Sequence, residues 1–232
     1  MSYKPMLESF INEYENIRNE IIKLCGELTS DYDESHNLEH HLKVYENALE
    51  IMPCVPIQPK TEYRALYEMV LFSTLLHDVI DHKYQNNLAE KKQKLEMFLL
   101  EKLGENAKNI KWIIDNISYS KEVKYGYPVH ENYLVQNARN IVSDADKLEA
   151  IGTRGLVRCR QFTMAFHPNA NKYEILGLMV DHCREKLLRL KDEFIHTSKG
   201  KQMAENDHYV LLDFLERARN DTIQGNNLYK SI

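Results

Sequence analysis

The sequence contains little glycine and proline. Only 8 glycines and 6 prolines occur among 232 residues, whereas proteins built from short strands need many turn residues to connect them. No segment sustains the alternation of apolar and polar residues that is typical of a half-buried strand. The shortage of turn residues and the missing alternation together predict an all-α protein.

The cysteines are too widely spaced to suggest a cysteine-based scaffold. Cys25, Cys54, Cys159 and Cys183 form no CxxC pair, which argues against a zinc knuckle and against a disulfide framework. No apolar run approaches the roughly 20 residues of a membrane-spanning helix, and no segment resembles a signal peptide. We therefore expect a cytoplasmic protein that has no membrane partner.

Positive charge is not in excess. The 30 Lys and Arg residues are outnumbered by 35 Asp and Glu, which gives a net charge of −5. Such a chain has no overall basic field to attract a nucleic-acid polymer, so a negatively charged substrate would need a local basic pocket or a metal ion. The hydrophobic content of 43% is ordinary for a globular protein, and we expect one domain over residues 1–232.

Apolar residues recur at helical spacing along most of the chain. An amphipathic helix is predicted at residues 5–28, packed on a core of about 30–220. The helix that begins near Thr61 becomes apolar nearly all round, which is typical of a central helix. Residues 118–129 are polar and aromatic without a period and predict a long loop. Eight to ten helices are expected in all, the others near 36–52, 87–103, 107–117, 132–151, 153–162, 173–196 and 199–223.

The central helix leads directly into His77 and Asp78. The ten residues before them are apolar or small apart from Glu68. Burying an imidazole and a carboxylate costs free energy unless something compensates them, and a divalent metal ion compensates both at once. The pair therefore indicates a metal site at the end of this helix.

Metal-ligand residue types also concentrate in three other segments. Two imidazoles and two carboxylates would suit Mn²⁺, Fe²⁺, Co²⁺, Ni²⁺ or Zn²⁺ better than Mg²⁺, which prefers oxygen ligands. Spacing alone leaves another interpretation open, in which the histidines are solvated at a helix N-terminus and the aspartates form a solvated acidic turn. The three segments contain His36, His40 and His41, then Asp144 and Asp146, and finally Asp181 and His182.

Three segments in order resemble the HD superfamily of metal-dependent phosphohydrolases. They are SHNLEHHLKV at residues 35–44, LLHDV at 75–79 and SDADKLEAIG at 143–152. The later segment HCREKLLRLK at 182–191 resembles the same branch, which contains small nucleotide pyrophosphohydrolases and many uncharacterised proteins. The resemblance extends over about residues 30–220. It implies an all-α HD-domain helical bundle with a metal site between the central helices.

The resemblance also implies the metal ligands, which are His40, His77, Asp78 and Asp146. Asp144 would then orient a ligating histidine, as carboxylates beside metal sites often do. The alternative is that Asp144 binds the metal and Asp146 supports it. His41 is expected to face away from His40, because neighbouring residues on a helix differ in direction by about 100°.

Two further residues have candidate catalytic roles by the same resemblance. Asp81 occupies the acidic position of an HDxx(D/E) arrangement and would position or deprotonate a water molecule. His36 would support the metal ligands or donate a proton to the leaving group. The alternatives are that Asp81 is a solvated carboxylate at a helix end and that His36 only pads its helix.

Two departures from the family pattern bear on the metal site. Many relatives have a histidine in the helix after the HD segment, where this chain has Asn116, Ser118 and Ser120. Its absence favours one divalent ion over two and argues against a di-iron oxygenase. Asn37 replaces an aspartate that is common in the family, which removes one negative charge from the neighbourhood of the metal.

The resemblance implies hydrolysis of a phosphoester or phosphoanhydride bond, above all in a nucleotide. The alternative is a regulatory HD protein that binds nucleotide and metal without catalysis, and a homo-oligomer is left open. Basic side chains would hold the rest of the negative charge of a small phosphorylated substrate, although each of them taken alone could be a surface charge. The candidates are Lys83, Arg154, Arg158, Lys186 and Arg189, with Lys121 and Lys124 from the predicted loop.

Overall fold

The computed structural model of the protein describes residues 4–32, 37–57, 60–80 and 87–224. These residues contain no strand, so the all-α prediction is confirmed. Only Tyr14 separates the first two helices, and counting them as one gives ten helices in the described residues, within the predicted range. The helices are α1 Lys4–Glu13, α2 Glu15–Leu28, α3 Leu38–Ile51, α4 Lys60–Leu76, α5 Leu88–Leu103, α6 Ala107–Asp115, α7 Tyr119–Tyr125, α8 Tyr133–Glu149, α9 Gly152–Phe166, α10 Lys172–His182 and α11 Ser198–Gln224.

The chain divides into two compact units, Met1–Ala145 and Asp146–Ile232. The division falls inside α8, a continuous helix that belongs to the first unit up to Ala145 and carries Asp146 as its next residue. A single domain over the whole chain stays a prediction. Among the described residues, no helix combines the length and the apolar character that crossing a membrane requires.

Helix α4 lies at the centre of the first unit. It packs against α1, α2, α3 and α6, as its apolar circumference predicts. The contact with α3 is the most extensive, and Val44, Ala48 and Ile51 of α3 have no exposed surface. The aliphatic and tyrosine side chains of α4 that have no exposed surface are Tyr63, Leu66, Tyr67, Val70, Leu71, Leu75 and Leu76.

Asn37 fixes the start of α3. Its side-chain oxygen accepts hydrogen bonds from the backbone N–H groups of Glu39 and His40 at 3.0 and 3.3 Å. Asparagine is among the strongest N-cap residues because its oxygen satisfies backbone donors that the first helical turn leaves unpaired. Asn37, which replaces an aspartate that is common in the family, therefore caps the helix that carries His40.

The prediction of a loop at residues 118–129 is wrong, because α7 occupies Tyr119–Tyr125. The helix presents Glu122 inward, where its side chain contacts the buried Arg139 of α8. Periodicity counts both residues as polar, so the pattern gave no sign of a buried face. Gly126 ends the helix with a φ of 84°, a conformation that favours glycine.

In the second unit, α9 packs against both α10 and α11. Gly152 begins α9 with a φ of 69°, and a side chain there would collide with the carboxylate of Asp207 on α11. The helix that begins as α10 continues through two π-helical turns, Cys183–Leu187 and Leu190–Phe194. A long helix in this part of the chain is therefore confirmed, but its hydrogen-bonding pattern changes along its length.

Glu68 is the one acidic residue in the apolar part of α4, and we expect its charge to destabilise the fold. Burial raises the pKa of its carboxyl above the ordinary value of 4.5, although the hydroxyl of Tyr14 donates to it at 3.3 Å. Because the pKa is higher in the folded state than in the unfolded state, the protonated carboxyl favours folding relative to the charged one. This contribution to stability is complete at pH values below the unfolded-state pKa and is lost as the pH rises through the folded-state pKa. Glu68→Gln should therefore unfold at a higher temperature than the wild type at about pH 7 and at the same temperature at about pH 4. Equal melting temperatures at both pH values would contradict this.

Candidate metal centre

His77 follows directly after the last residue of α4 and is 5% exposed. Its Nδ1 lies 2.8 Å from the carbonyl oxygen of Thr74. A carbonyl oxygen can only accept, so Nδ1 must carry the hydrogen of this bond. In the neutral ring, Nε2 then carries the lone pair, and this is the tautomer that a metal ion binds through Nε2.

His40, in the first turn of α3, brings a second imidazole to the same place. Its side chain is buried, and its Nε2 lies 3.1 Å from Nε2 of His77. Two nitrogens bound to one ion at about 2.0–2.1 Å are about 2.9 Å apart for a right angle and about 3.3 Å for a tetrahedral angle. The observed separation lies between these values, so both nitrogens can bind one ion without rearrangement.

Asp146 of α8 completes a group of three possible ligands. One ligand atom each from His40, His77 and Asp146 lies within 4.8 Å of the other two, and no other group of this kind occurs in the described residues. The side-chain amide of Asn47 on α3 donates to the carbonyl oxygen of Ala145 at 3.2 Å. This bond ties α8 to α3 at the residue before Asp146. Two imidazoles and a carboxylate form a donor set that suits a divalent transition metal.

Asp78 lies beside this group without belonging to it. Its Oδ2 is 3.6 Å from Nε2 of His77, and 37% of its side chain is exposed. The structure thus brings three of the four predicted ligands together, and ligation by Asp78 stays a prediction. Asp144 is fully buried in α8 and is also not in the group, and the choice of Asp146 as the ligand stays a prediction.

The expectation that His41 faces away from His40 is wrong. Its side chain has no exposed surface, and its ring centroid lies 4.7 Å from that of His77 and 5.6 Å from that of His40. Neighbouring residues on α3 do differ in direction by about 100°, but the buried face of α3 is wide enough to include both His40 and His41. The signal available in the sequence was only that His41 directly follows a candidate ligand.

Three candidate residues, His36, Asp81 and Lys83, lie outside the described residues, and their roles stay predictions. Two others, Arg154 and Arg158, stand one turn apart on α9. Both contact Glu149, a buried residue for which the sequence suggested no role. Nε of Arg154 lies 3.6 Å from the Glu149 carboxylate, and Nη1 of Arg158 lies 3.4 Å from its carbonyl oxygen. Glu149 therefore brings two of the predicted substrate-binding cations together.

The remaining basic candidates are more dispersed. Arg189 pairs with Glu193 at 2.7 Å on the surface, and Lys186 lies one turn after His182. Burial lowers the pKa of the His182 imidazole, and the charge of Lys186 lowers it further. On α7, Lys121 donates to the carbonyl oxygen of Asp115 at 2.8 Å. None of these contacts by itself identifies a substrate site.

One curated protein shares substantial sequence identity with this chain. YpgQ of Bacillus subtilis (strain 168), an uncharacterized protein, is 30% identical over 153 residues, which cover 64% of this chain and 70% of YpgQ. No family model matches the sequence.

Solved structures share the fold. A crystal structure of B. subtilis YpgQ in complex with ADP has a TM-score of 0.62 at 22% identity, with 88% of this chain and 97% of that chain covered. A protein from Lactobacillus plantarum reaches a TM-score of 0.69 at 21% identity, with 90% and 98% covered. An HD-superfamily hydrolase from Bacillus thuringiensis has a TM-score of 0.62 at 21% identity, with 91% and 99% covered. The motifs, the helical fold and the relationship to YpgQ agree, and the chain therefore belongs to the HD superfamily.

Proposed function

We propose that this protein is a metal-dependent phosphohydrolase that cleaves a phosphoester or phosphoanhydride bond of a small nucleotide. The observation that carries the proposal is the group formed by His40, His77 and Asp146, in which two imidazole nitrogens lie 3.1 Å apart. Membership of the HD superfamily supports the reaction class. Buried imidazoles that converge on one point, with a fixed tautomer in His77, are arranged for a cation.

The donor set favours one divalent ion of the transition series. Nitrogen and oxygen donors together suit Mn²⁺, Fe²⁺, Co²⁺, Ni²⁺ or Zn²⁺ better than Mg²⁺. His40, His77 and Asp146 would hold the ion, with Asp78 close enough to join them. When bound, such an ion neutralises charge on a phosphoryl oxygen and lowers the pKa of a coordinated water molecule.

The remaining residues would prepare the substrate and the nucleophile. Asp81 would orient or deprotonate the attacking water, and His36 would support the ligands or protonate the leaving group. Arg154 and Arg158, held together by Glu149, would bind further phosphate oxygens, because guanidinium groups donate several hydrogen bonds in a fixed geometry. Lys83, Lys186 and Arg189 are the other cations assigned to the substrate.

The crystal structure of YpgQ with ADP supports a nucleotide as the substrate. YpgQ is 30% identical to this chain over 153 residues, so a nucleotide is a reasonable first class of ligand to test. The alternative function is a regulatory protein that binds nucleotide and metal without turnover. The two functions differ in one observable, which is the release of phosphate or pyrophosphate.

Removal of the metal should abolish hydrolysis. The protein would be treated with a chelator, dialysed and resupplied with Mn²⁺, Co²⁺, Ni²⁺, Zn²⁺ or Mg²⁺, then assayed with nucleoside triphosphates, cyclic nucleotides and simple phosphoesters. We expect phosphate or pyrophosphate release that depends on the added metal, with the transition metals more effective than Mg²⁺. Thermal stabilisation by a nucleotide without any release would favour the regulatory alternative. Hydrolysis that survives complete metal removal would contradict the proposal.

Asp146→Asn should weaken metal binding by at least about 100-fold and should reduce hydrolysis in proportion. The amide keeps the size of the side chain but removes the charge that a metal ligand supplies. Asp213→Asn is a matched control, because Asp213 is exposed on α11. Isothermal titration with Mn²⁺ measures the affinity of both variants. Wild-type affinity in Asp146→Asn would remove Asp146 from the ligand set.

A further inference from the structure

A third imidazole lies against the two that offer ligand atoms. The ring of His41 is tilted by 51° to that of His77 at a centroid distance of 4.7 Å, and by 65° to that of His40 at 5.6 Å. His41 is fully buried, yet the group of converging ligand atoms does not include it. The proposed mechanism gives this residue no task.

The orientation of His77 needs more than its hydrogen bond to Thr74. That bond, at 2.8 Å, holds the Nδ1 edge of the ring, but the ring can still tilt about the line that joins Nδ1 to the Cβ–Cγ bond. Nε2 lies on the other side of the ring, where a small rotation moves it well away from the metal position. A second contact, made with the ring itself, limits this tilt, and aromatic rings at the observed separation are in contact.

His41 provides this second contact. Its ring is closer to that of His77 than the ring of His40 is, at 4.7 Å against 5.1 Å. His40 is itself a candidate ligand, so it depends on the same ion as His77 and cannot orient it independently.

We propose that His41 is a positioning residue that packs against His77 and keeps its Nε2 directed at the metal position. The inference rests on the proposed metal site, because it concerns how the ligands are oriented before a metal ion binds. Preorganised ligands bind more tightly because less ordering remains to be done on binding. Removal of an orienting partner of a metal ligand commonly weakens metal affinity by 10–100-fold.

The test compares three variants, and the quantity measured is metal binding and not enzymatic activity. His41→Ala removes the ring, His41→Phe keeps an aromatic ring without nitrogens, and Val44→Ala leaves a comparable cavity at a fully buried position one turn along α3. Affinity is measured by isothermal titration with Co²⁺, and the visible absorption of the bound Co²⁺ reports the geometry of its ligands. Should His41→Ala fail to fold, His41→Leu takes its place.

We expect His41→Ala to bind Co²⁺ about 10–100-fold more weakly, with an altered absorption spectrum. His41→Phe should recover most of the affinity, and Val44→Ala should bind as the wild type does. The proposal is overturned if His41→Ala keeps wild-type affinity, if Val44→Ala loses as much, or if His41→Phe is as weak as His41→Ala. It is also overturned if the wild type binds no Co²⁺. A wild type that binds Co²⁺ but hydrolyses no nucleotide would contradict the proposed function alone, since these readouts need no turnover.

Discussion

His77→Ala is expected to abolish metal binding and to lower hydrolysis by at least about 1,000-fold, which corresponds to a loss of about 4 kcal/mol of transition-state stabilisation. The effect should be the largest of any single change in the site. The substitution removes an imidazole whose tautomer is fixed by the hydrogen bond from its Nδ1 to Thr74. It also removes the neighbour of both His40 and Asp78, whose ligand atoms lie 3.1 and 3.6 Å from His77 Nε2.

The experiment must separate loss of the site from loss of the fold. His77 comes after the last residue of α4, so alanine there interrupts no helical hydrogen bond within that element. Thermal unfolding in the presence of a chelator compares the variants without any contribution from bound metal. His167→Ala serves as the matched control, since His167 is an exposed histidine outside the ligand group.

Added imidazole provides a further check on His77→Ala. The deleted ring leaves a space beside His40, and free imidazole in that space could supply the missing nitrogen. Partial recovery of Co²⁺ binding with imidazole, and none with a similar concentration of cyclopentanol, would identify the lost group as a ligand. Metal binding and hydrolysis at the wild-type level in His77→Ala would refute both the ligand assignment and the proposed reaction.

The candidate site was predictable from the sequence where its signal was local. A ten-residue apolar stretch that runs into His77 and Asp78 is visible without a structure, because the cost of burying these groups is a general property. The family motifs supplied His40 and Asp146, and the structure brings both to His77. The motifs also supplied Asp78, whose carboxylate lies partly exposed beside the group, and its ligation stays a prediction.

The features that the sequence did not reveal depend on partners that are distant in the chain. His41 is buried because α3 presents a wide face to its neighbours, and helical geometry alone gives only the angle between adjacent residues. The sequence suggested no role for Glu149, because its contacts with Arg154 and Arg158 are visible only in the structure. Sequence periodicity did not predict α7, because it follows apolar residues and the inward side of α7 contributes to a buried ion pair.

That ion pair joins α7 to α8, the helix that carries Asp146. Nη2 of Arg139 lies 2.6 Å from the carboxylate of Glu122, and the side chains are 0% and 4% exposed. Nε of Arg139 also donates to the carbonyl oxygen of Asn116 at 2.8 Å, and the guanidinium lies 5.2 Å from the ring centroid of Tyr127. The guanidinium therefore has partners on several sides, which is the condition under which a buried charge is tolerated.

Glu122→Ala is expected to destabilise the protein by about 3–5 kcal/mol, because it leaves the Arg139 guanidinium buried without its counter-charge. Urea unfolding followed by far-UV circular dichroism measures this loss. Glu193→Ala is the matched control, since it breaks an Arg–Glu pair on the surface and should barely move the midpoint. The double variant Glu122→Leu/Arg139→Met should recover much of the loss, because replacing both charges by apolar groups removes the uncompensated charge. A Glu122→Ala protein as stable as Glu193→Ala would mean that the pair does not hold α7 on α8.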